Sequence, residues 1–327
     1  MICYNKYGDW IRKRFGCKVQ KISIDAGFSC PNRDGTIGRG GCIYCNNATF
    51  NPEYCTDTAG RGSQEERLNL SADNIRRQLE TGKGFFSRKY PEMKYIAYFQ
   101  SYTNTYGDIE ALKRLYEAAL SVENVIGISI ATRPDCVSDE LLDYLEELSH
   151  RTFLTMEYGV ETFNDDTLRI INRGHSSECS INIIRNTHAR GITVCAHLIL
   201  GLPGEGREEI LRQVDIVNSL PIDILKLHQL QITKGTILEH RPDLIAQCTL
   251  FTPEEYIDLL VEYIPRLRND IVIERFTSQS PAELLIAPRW GLKNHEFTNL
   301  LEAHPVPPKG RVPPPLPPQG GVVSISD

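Results

Sequence analysis

The 327-residue sequence has no long hydrophobic run. Its most apolar stretches, such as residues 192–202, are interrupted and fall well short of the roughly 20 apolar residues that cross a bilayer, so no membrane association is expected. The basic, apolar and small-residue succession of an export signal is missing too, and a cytoplasmic location is expected. Nor is there an excess of positive charge: 36 Lys and Arg against 42 Asp and Glu give −6 at pH 7. That balance argues against tight, sequence-independent binding of duplex nucleic acid, while leaving room for a local basic patch that receives a folded RNA. No internal repeat is visible. With 41% hydrophobic and 24% charged residues, the chain suits one large globular domain or two small ones. What is not scarce is cysteine, with ten residues. Without an export signal these read as thiols or metal ligands rather than as a disulfide framework.

Apolar, β-rich runs alternate with helix-like stretches along most of the chain. Strands are expected at residues 19–25, 95–100, 127–132, 153–159, 193–200 and 224–230. Apolar spacing of three and four predicts helices over 109–120, 139–148, 181–189 and 208–219. Such alternation implies an α/β fold with parallel strands and right-handed crossovers, as an open doubly wound sheet or a complete or partial barrel. A further helix over 253–267 and a strand over 271–277 would extend or cap this unit. From His304 the sequence becomes proline-rich and has little to bury, which predicts a disordered tail in polyproline II conformations.

The segment FSCPNRDGTIGRGGCIYCN, residues 28–46, contains C-x11-C-x2-C directly after the first expected strand. In a parallel βα architecture, loops at the carboxyl ends of strands form the active face. Glycines at 35, 38, 40 and 41 allow tight turns and leave room for N–H groups to point at sulfur or at a ligand. Three thiolates can hold three corners of a 4Fe-4S cluster and leave the fourth iron open. S-adenosylmethionine (SAM) chelates such an iron through its amino and carboxylate groups, and one electron then splits it to a 5′-deoxyadenosyl radical. The competing reading is a zinc site in which Cys55 joins Cys30, Cys42 and Cys45 and stabilises a binding module.

The stretches CPNRDGTIGRGGCIYCN, AYFQSYTNTY, ATRPD, EYGVET, INRGH, HLILGLPGEG and KLHQLQITKGT, in this order, resemble the radical SAM superfamily. Within it they resemble the YhcC/YtqA-like family related to the elongator catalytic subunit. The resemblance covers roughly residues 7–301 and implies a partial (βα)6 TIM-type barrel with a C-terminal extension. On this basis residues 1–252 would form the core barrel with its cluster loop, 253–303 the extension, and 304–327 the tail. It also implies a 4Fe-4S cluster on Cys30, Cys42 and Cys45, SAM beside it, and an electron donor such as flavodoxin or ferredoxin. The usual spacing in the superfamily is CxxxCxxC. The x11 gap departs from it in the way elongator-like members do.

The same resemblance assigns cofactor-binding positions. Gln100, Ser101 and Tyr102 end the second strand, where relatives bind the methionine amino group, or simply form a polar turn. Arg133 and Asp135 end the third, as a carboxylate clamp or an ion pair. Glu157, Gly159 and Glu161 share one side of the fourth strand, to accept from SAM or to pair with Arg133 or Arg173. Relatives usually carry glutamine where Glu161 stands. His197, Gly201, Pro203 and Gly204 mark the fifth strand and its exit, where glycine would let adenine approach. Lys226 and His228 on the sixth would face the substrate, or serve as core residues. The elongator relationship points to tRNA as substrate, and to conversion of the wobble-uridine side chain from 5-carboxymethylaminomethyl to 5-aminomethyl. A radical enzyme acting on a small molecule is the alternative.

Overall fold

The structure, a computed structural model, describes residues 2–49, 64–88, 90 and 92–305. Cys55 and nearly all of the expected proline-rich tail lie outside them. In chain order the elements begin with β1 (Asn5–Lys6), α1 (Tyr7–Phe15), β2 (Val19–Ile24), α2 (Pro31–Asp34), α3 (Gln64–Ser87), β3 (Lys94–Phe99) and α4 (Ile109–Leu120). They continue with β4 (Val125–Thr132), α5 (Asp139–Arg151), β5 (Phe153–Glu161), α6 (Asp165–Ile170), α7 (Ser177–Ala189), β6 (Thr193–Leu200), α8 (Arg207–Ser219) and β7 (Ile224–Gln229). The chain closes with β8 (Ile232–Thr233), α9 (Pro242–Ile245), α10 (Pro253–Tyr263), β9 (Val272–Arg275), β10 (Leu285–Ala287) and α11 (Asn294–Ala303).

Eight strands form one all-parallel, curled half-barrel sheet in the order β1-β9-β7-β6-β5-β4-β3-β2. The six expected strands are its consecutive core, β2 to β7, and the partial barrel is borne out. The strand expected at 271–277 extends the sheet as β9, beside β7. A separate hairpin pairs β8 with β10. The core strands alternate: one face packs apolar residues such as Ile22, Met156 and Leu225 under the helices, and the other carries Lys21, Glu157 and Lys226 toward the barrel interior. Outside, α4 packs Leu112, Leu115 and Tyr116, and α5 packs Leu141, Leu142, Leu145 and Leu148, all buried in one core.

Polar residues set the helix starts. Asp108, Ser138 and Ser176 each accept a hydrogen bond from a backbone N–H in the first turn of α4, α5 and α7, and Thr252 with Glu255 forms a capping box on α10. One long helix escapes sequence reading. Helix α3 is rich in polar residues, and within its described half Ile75 and Leu79 are fully buried. That apolar stripe is too thin to stand out.

Helix α1 closes the barrel at the strand starts. Its Trp10 and Ile11 pack with Ile96 and Phe153, and Tyr7 and Trp10 pack with Cys195, Ile224 and Val272. The opposite end, where the strands finish, is left for chemistry.

Candidate active site

The cysteine loop leaves β2 and folds back onto the segment after α6. Cys30 precedes α2 in an extended conformation, with its carbonyl accepting from the N–H groups of Arg33 and Asp34 at 2.8 and 3.1 Å. Asn32 Nδ2 donates to the Asn172 carbonyl, Asn172 Nδ2 donates to the Gly41 carbonyl at 2.8 Å, and Ile43 N–H donates to the Ile171 carbonyl at 3.1 Å. Glycine is required at two points: a Cβ on Gly38 would lie 2.4 Å from Asn32 Oδ1, and one on Gly41 would lie 2.9 Å from Arg33 Nε.

This docking gathers Cys30, Cys42 and Cys45 on the wall of one open cavity, which encloses about 1180 Å³ of empty space with the solvent at its mouth included. Two donors address the Cys42 sulfur, Arg173 Nη1 at 3.4 Å and Asn32 Nδ2 at 3.8 Å. Arg33 Nη2 holds the Cys45 carbonyl at 2.6 Å. Burial, then the neighbouring Cys42, pushes the Cys45 thiol up to about 11. Arg173 and Asn32 are contributions the sequence reading did not assign; INRGH and CPN hold them, but nothing local says that they meet.

The floor of the cavity is a layer of charge, in which Glu157 is itself a lining residue. Both oxygens of Glu157, a residue with no exposure, are taken: one accepts from Lys21 Nζ at 2.6 Å and from Ser129, the other from Lys226 Nζ and from His197 Nε2 at 2.8 Å. Glu274 bridges the same lysines, at 2.6 Å from Lys21 and 3.1 Å from Lys226. The two ammonium groups also sit over the ring of Tyr98, at 5.2 and 4.6 Å from its centroid. Burial opposes ionisation of Glu157, yet the lysines win and hold its carboxyl well below the usual range. The partners weighed for Glu157 from sequence, Arg133 and Arg173, are therefore replaced by Lys21 and Lys226. Ligand atoms of Glu157, Cys195 and His197 lie within 4.8 Å of one another, but two ammonium groups on the carboxylate oppose a metal cation there.

Two bulges aim side chains into the cavity above this layer. The β5–β6 register slips between Gly159 and Glu161, where Glu161 takes a left-handed φ of 67°. Glu161 thereby lines the cavity beside Arg173, at 3.6 Å, and burial raises its carboxyl pKa against the pull of that guanidinium. The β7–β9 register slips around Glu274, so that Glu274 reaches the charged layer while the adjacent Arg275 lines the cavity.

The remaining predicted positions separate. Arg133 lines the cavity and pairs with Asp135 through Nε and Nη2 at 2.9 and 2.8 Å, while its buried Nη1 has no partner. Gln100 and Tyr102 line it too, the Gln100 Oε1 accepting from Ser23 at 2.8 Å. Ser101 is buried and stands outside the lining. Gly201 is also outside it: a Cβ there would lie 2.2 Å from the Thr249 carbonyl oxygen, so the chain's own backbone accounts for this glycine. His197 and His228 line the cavity, whereas Lys226 belongs to the charged layer beneath.

Three thiols on one cavity wall, a guanidinium on one sulfur and an orphaned guanidinium nitrogen nearby fit an anionic iron–sulfur group. Outside the Glu157 group, no three metal-ligand atoms among the described residues come within 4.8 Å of one another.

A curled parallel sheet whose first exit loop presents three cysteines to a polar cavity is the architecture of a cofactor-dependent barrel enzyme. Residues 33–215 match the Radical SAM superfamily model and residues 222–304 match the Radical_SAM C-terminal domain. The chain belongs to the radical SAM superfamily, in its YhcC/YtqA-like family. It is 35% identical over 298 residues to the YtqA protein of Bacillus subtilis (strain 168), covering 91% of this chain and 88% of that one. A shorter match, 31% identical over 137 residues, covers 41% of this chain and 28% of the tRNA uridine(34) acetyltransferase of Dehalococcoides mccartyi (strain CBDB1). The fold resembles the archaeal Methanocaldococcus infernus Elp3 with a TM-score of 0.60 at 16% identity, over 87% of this chain and 62% of that one. Enzymes of this superfamily use a 4Fe-4S cluster and SAM. Among the described residues no helix is long and apolar enough to cross a membrane.

Proposed function

We propose that this chain is a cytoplasmic radical SAM enzyme that modifies the wobble uridine of tRNA, with Cys30, Cys42 and Cys45 as the cluster ligands. The observation that carries the ligand assignment is the gathering of these thiols on one cavity wall with Arg173 donating to Cys42. When bound, the cluster and SAM supply a 5′-deoxyadenosyl radical. Gln100, Tyr102, Arg133 and Glu161 are the cavity groups for SAM, Arg133 through its unpartnered Nη1. Glu157 positions His197 at the cavity edge and anchors the lysines below. Ser101 backs the turn between Gln100 and Tyr102, and Gly201 keeps the β6 exit close to Thr249.

The tRNA assignment is supported by the partial similarity to the tRNA uridine(34) acetyltransferase. The expected reaction converts a 5-carboxymethylaminomethyl side chain to 5-aminomethyl: hydrogen is abstracted from the carboxymethyl CH2, SAM is the oxidant, and water completes the C–N cleavage so that the two carbons leave as glyoxylate. Flavodoxin or ferredoxin would deliver the electron. The test is an anaerobic incubation with SAM, reductant and undermodified tRNA, scored by mass spectrometry for 5′-deoxyadenosine and altered nucleosides. Deoxyadenosine without any change in the nucleosides, in vitro and in a deletion strain, would sink the tRNA assignment and favour a small-molecule substrate.

A further inference from the structure

The charges around the cavity almost all cancel. Arg133 pairs with Asp135, Arg173 with Glu161, and Lys21 and Lys226 share Glu157 and Glu274. Arg33 donates to the Cys45 carbonyl instead of a carboxylate, and Arg275 has neither. It lines the cavity, no carboxylate among the described residues lies within 4.0 Å of it, and its buried Nε has no hydrogen-bond partner. The two carboxylates that could have answered it, Glu157 and Glu274, are already held by the lysines.

A second unsatisfied group lies beside it. His228 is only 8% exposed, lines the same cavity, and has an unpartnered Nε2. The Arg275 charge helps to keep both His228 and His197 neutral, after the larger effect of burial on each, and their rings lie 5.6 Å apart. A neutral imidazole can still donate from one nitrogen. The wall around them is fixed: Gln229 Oε1 accepts from the Ser278 N–H at 2.8 Å, and Gln231 Oε1 accepts from Ser280 Oγ at 2.8 Å. These bonds tie the exit of β9 to the exit of β7.

Cation and imidazole therefore face one cavity whose two lining carboxylates, Glu157 and Glu161, are already held by Lys21, Lys226 and Arg173, and the bulge at Glu274 is what turns Arg275 toward it. In the sheet order β9 and β2 lie on opposite sides of the core, so Arg275 and the cysteine loop approach one cavity from its two sides. We propose that Arg275 and His228 form a carboxylate-binding subsite that recognises an anionic substituent on the substrate. This rests on the tRNA reading above, and it deepens that reading. A carboxymethylaminomethyl side chain carries such a carboxylate and the aminomethyl product does not, so the subsite would hold the substrate and release the product. Arg275 is then a specificity-determining residue, and a guanidinium suits the task because it can bind a carboxylate with two parallel hydrogen bonds.

The experiment measures the dissociation constants of the anaerobically reconstituted protein for two anticodon stem–loops, one with 5-carboxymethylaminomethyluridine and one with its neutral methyl ester. A charge-assisted contact predicts that wild type prefers the acid by about 10- to 100-fold. Arg275→Gln should bring the two within about twofold, His228→Phe should narrow the gap, and Arg275→Lys should keep part of it. Iron content and the unfolding midpoint, measured on each variant, establish that it is folded and loaded. Equal binding of acid and ester by wild type, or a preference that survives in Arg275→Gln, overturns the subsite. So does an Arg275→Gln protein that loses affinity for SAM but still separates acid from ester. If the nucleoside is nevertheless converted, the tRNA reading stands without the subsite. If neither stem–loop binds and no nucleoside changes, both fail together.

Discussion

The sealed floor of the barrel and its open rim use the same residue types to opposite ends. On the floor, Glu157, Glu274, Lys21 and Lys226 are matched two against two, and every oxygen of Glu157 is occupied. At the rim the cations outnumber their partners, Arg133 and Arg275 keep buried nitrogens without acceptors, and Arg173 donates to a thiol. Matched charge in a closed layer is architecture. Unmatched charge facing a cavity marks where ligands belong, because a buried group without a partner destabilises the protein until something fills the gap.

The largest effect expected from breaking this contrast is on the floor. Lys226→Met leaves two buried carboxylates facing one lysine and should destabilise the protein by about 3–5 kcal/mol, read as a fall in the denaturant midpoint. Adding Glu274→Gln restores the balance and should recover a large part of that loss. If the double variant is no more stable than the single, charge matching is not what holds the floor.

Acid probes the boundary between the two regions. Burial, then Lys226, pushes the pKa of His197 from 6.5 down to about 4. The folded state thus binds fewer protons than the unfolded chain between these values. Stability should be unaffected by this group above pH 6.5 and decline as the pH falls toward 4, by a total on the order of 3 kcal/mol. In His197→Gln the part of the decline between pH 6.5 and 4 should flatten. Melting curves across that range decide it.

At the rim, substitution should impair loading more than folding. Arg173→Gln removes the donor to Cys42 and should weaken cluster retention by about 10- to 100-fold, seen as iron lost during anaerobic gel filtration. A variant that keeps its iron would relegate Arg173 to the Gly159 carbonyl it also binds. The smallest effect is expected at Glu161. Glu161→Gln keeps an acceptor oxygen of the same reach in the cavity, so it should hold SAM within about twofold of wild type by titration. A tenfold loss would make the carboxylate charge itself part of the SAM contact.

The course of the core was legible because its physics is local. Strands with one face packed under helices repeat apolar residues at every second position, and the glycine-rich C-x11-C-x2-C loop announces a metal or cluster site from spacing. The resemblance, rather than periodicity, chose the partial barrel. What stayed hidden is non-local. Lys21 and Glu274 are separated by 253 residues, and neither signals in sequence that it completes a charged layer with Glu157. The extra residues at the two bulges break strict alternation, so which side chains face inward after Gly159 and around Glu274 follows only from the register. Arg173 reaches Cys42 across 131 residues. Gly201 looked like a place where adenine could come close, but the approaching group is the Thr249 carbonyl.

The most direct test is elemental analysis of the protein after anaerobic reconstitution, beside Cys30→Ala, Cys42→Ala, Cys45→Ala and Cys55→Ala. Wild type and Cys55→Ala should be brown, hold close to four irons per chain and cleave SAM reductively to 5′-deoxyadenosine. Each of the other three should lose the iron and the activity. Zinc without iron in wild type, or loss of the metal in Cys55→Ala as well, would contradict a three-cysteine cluster and return the loop to a closed structural site.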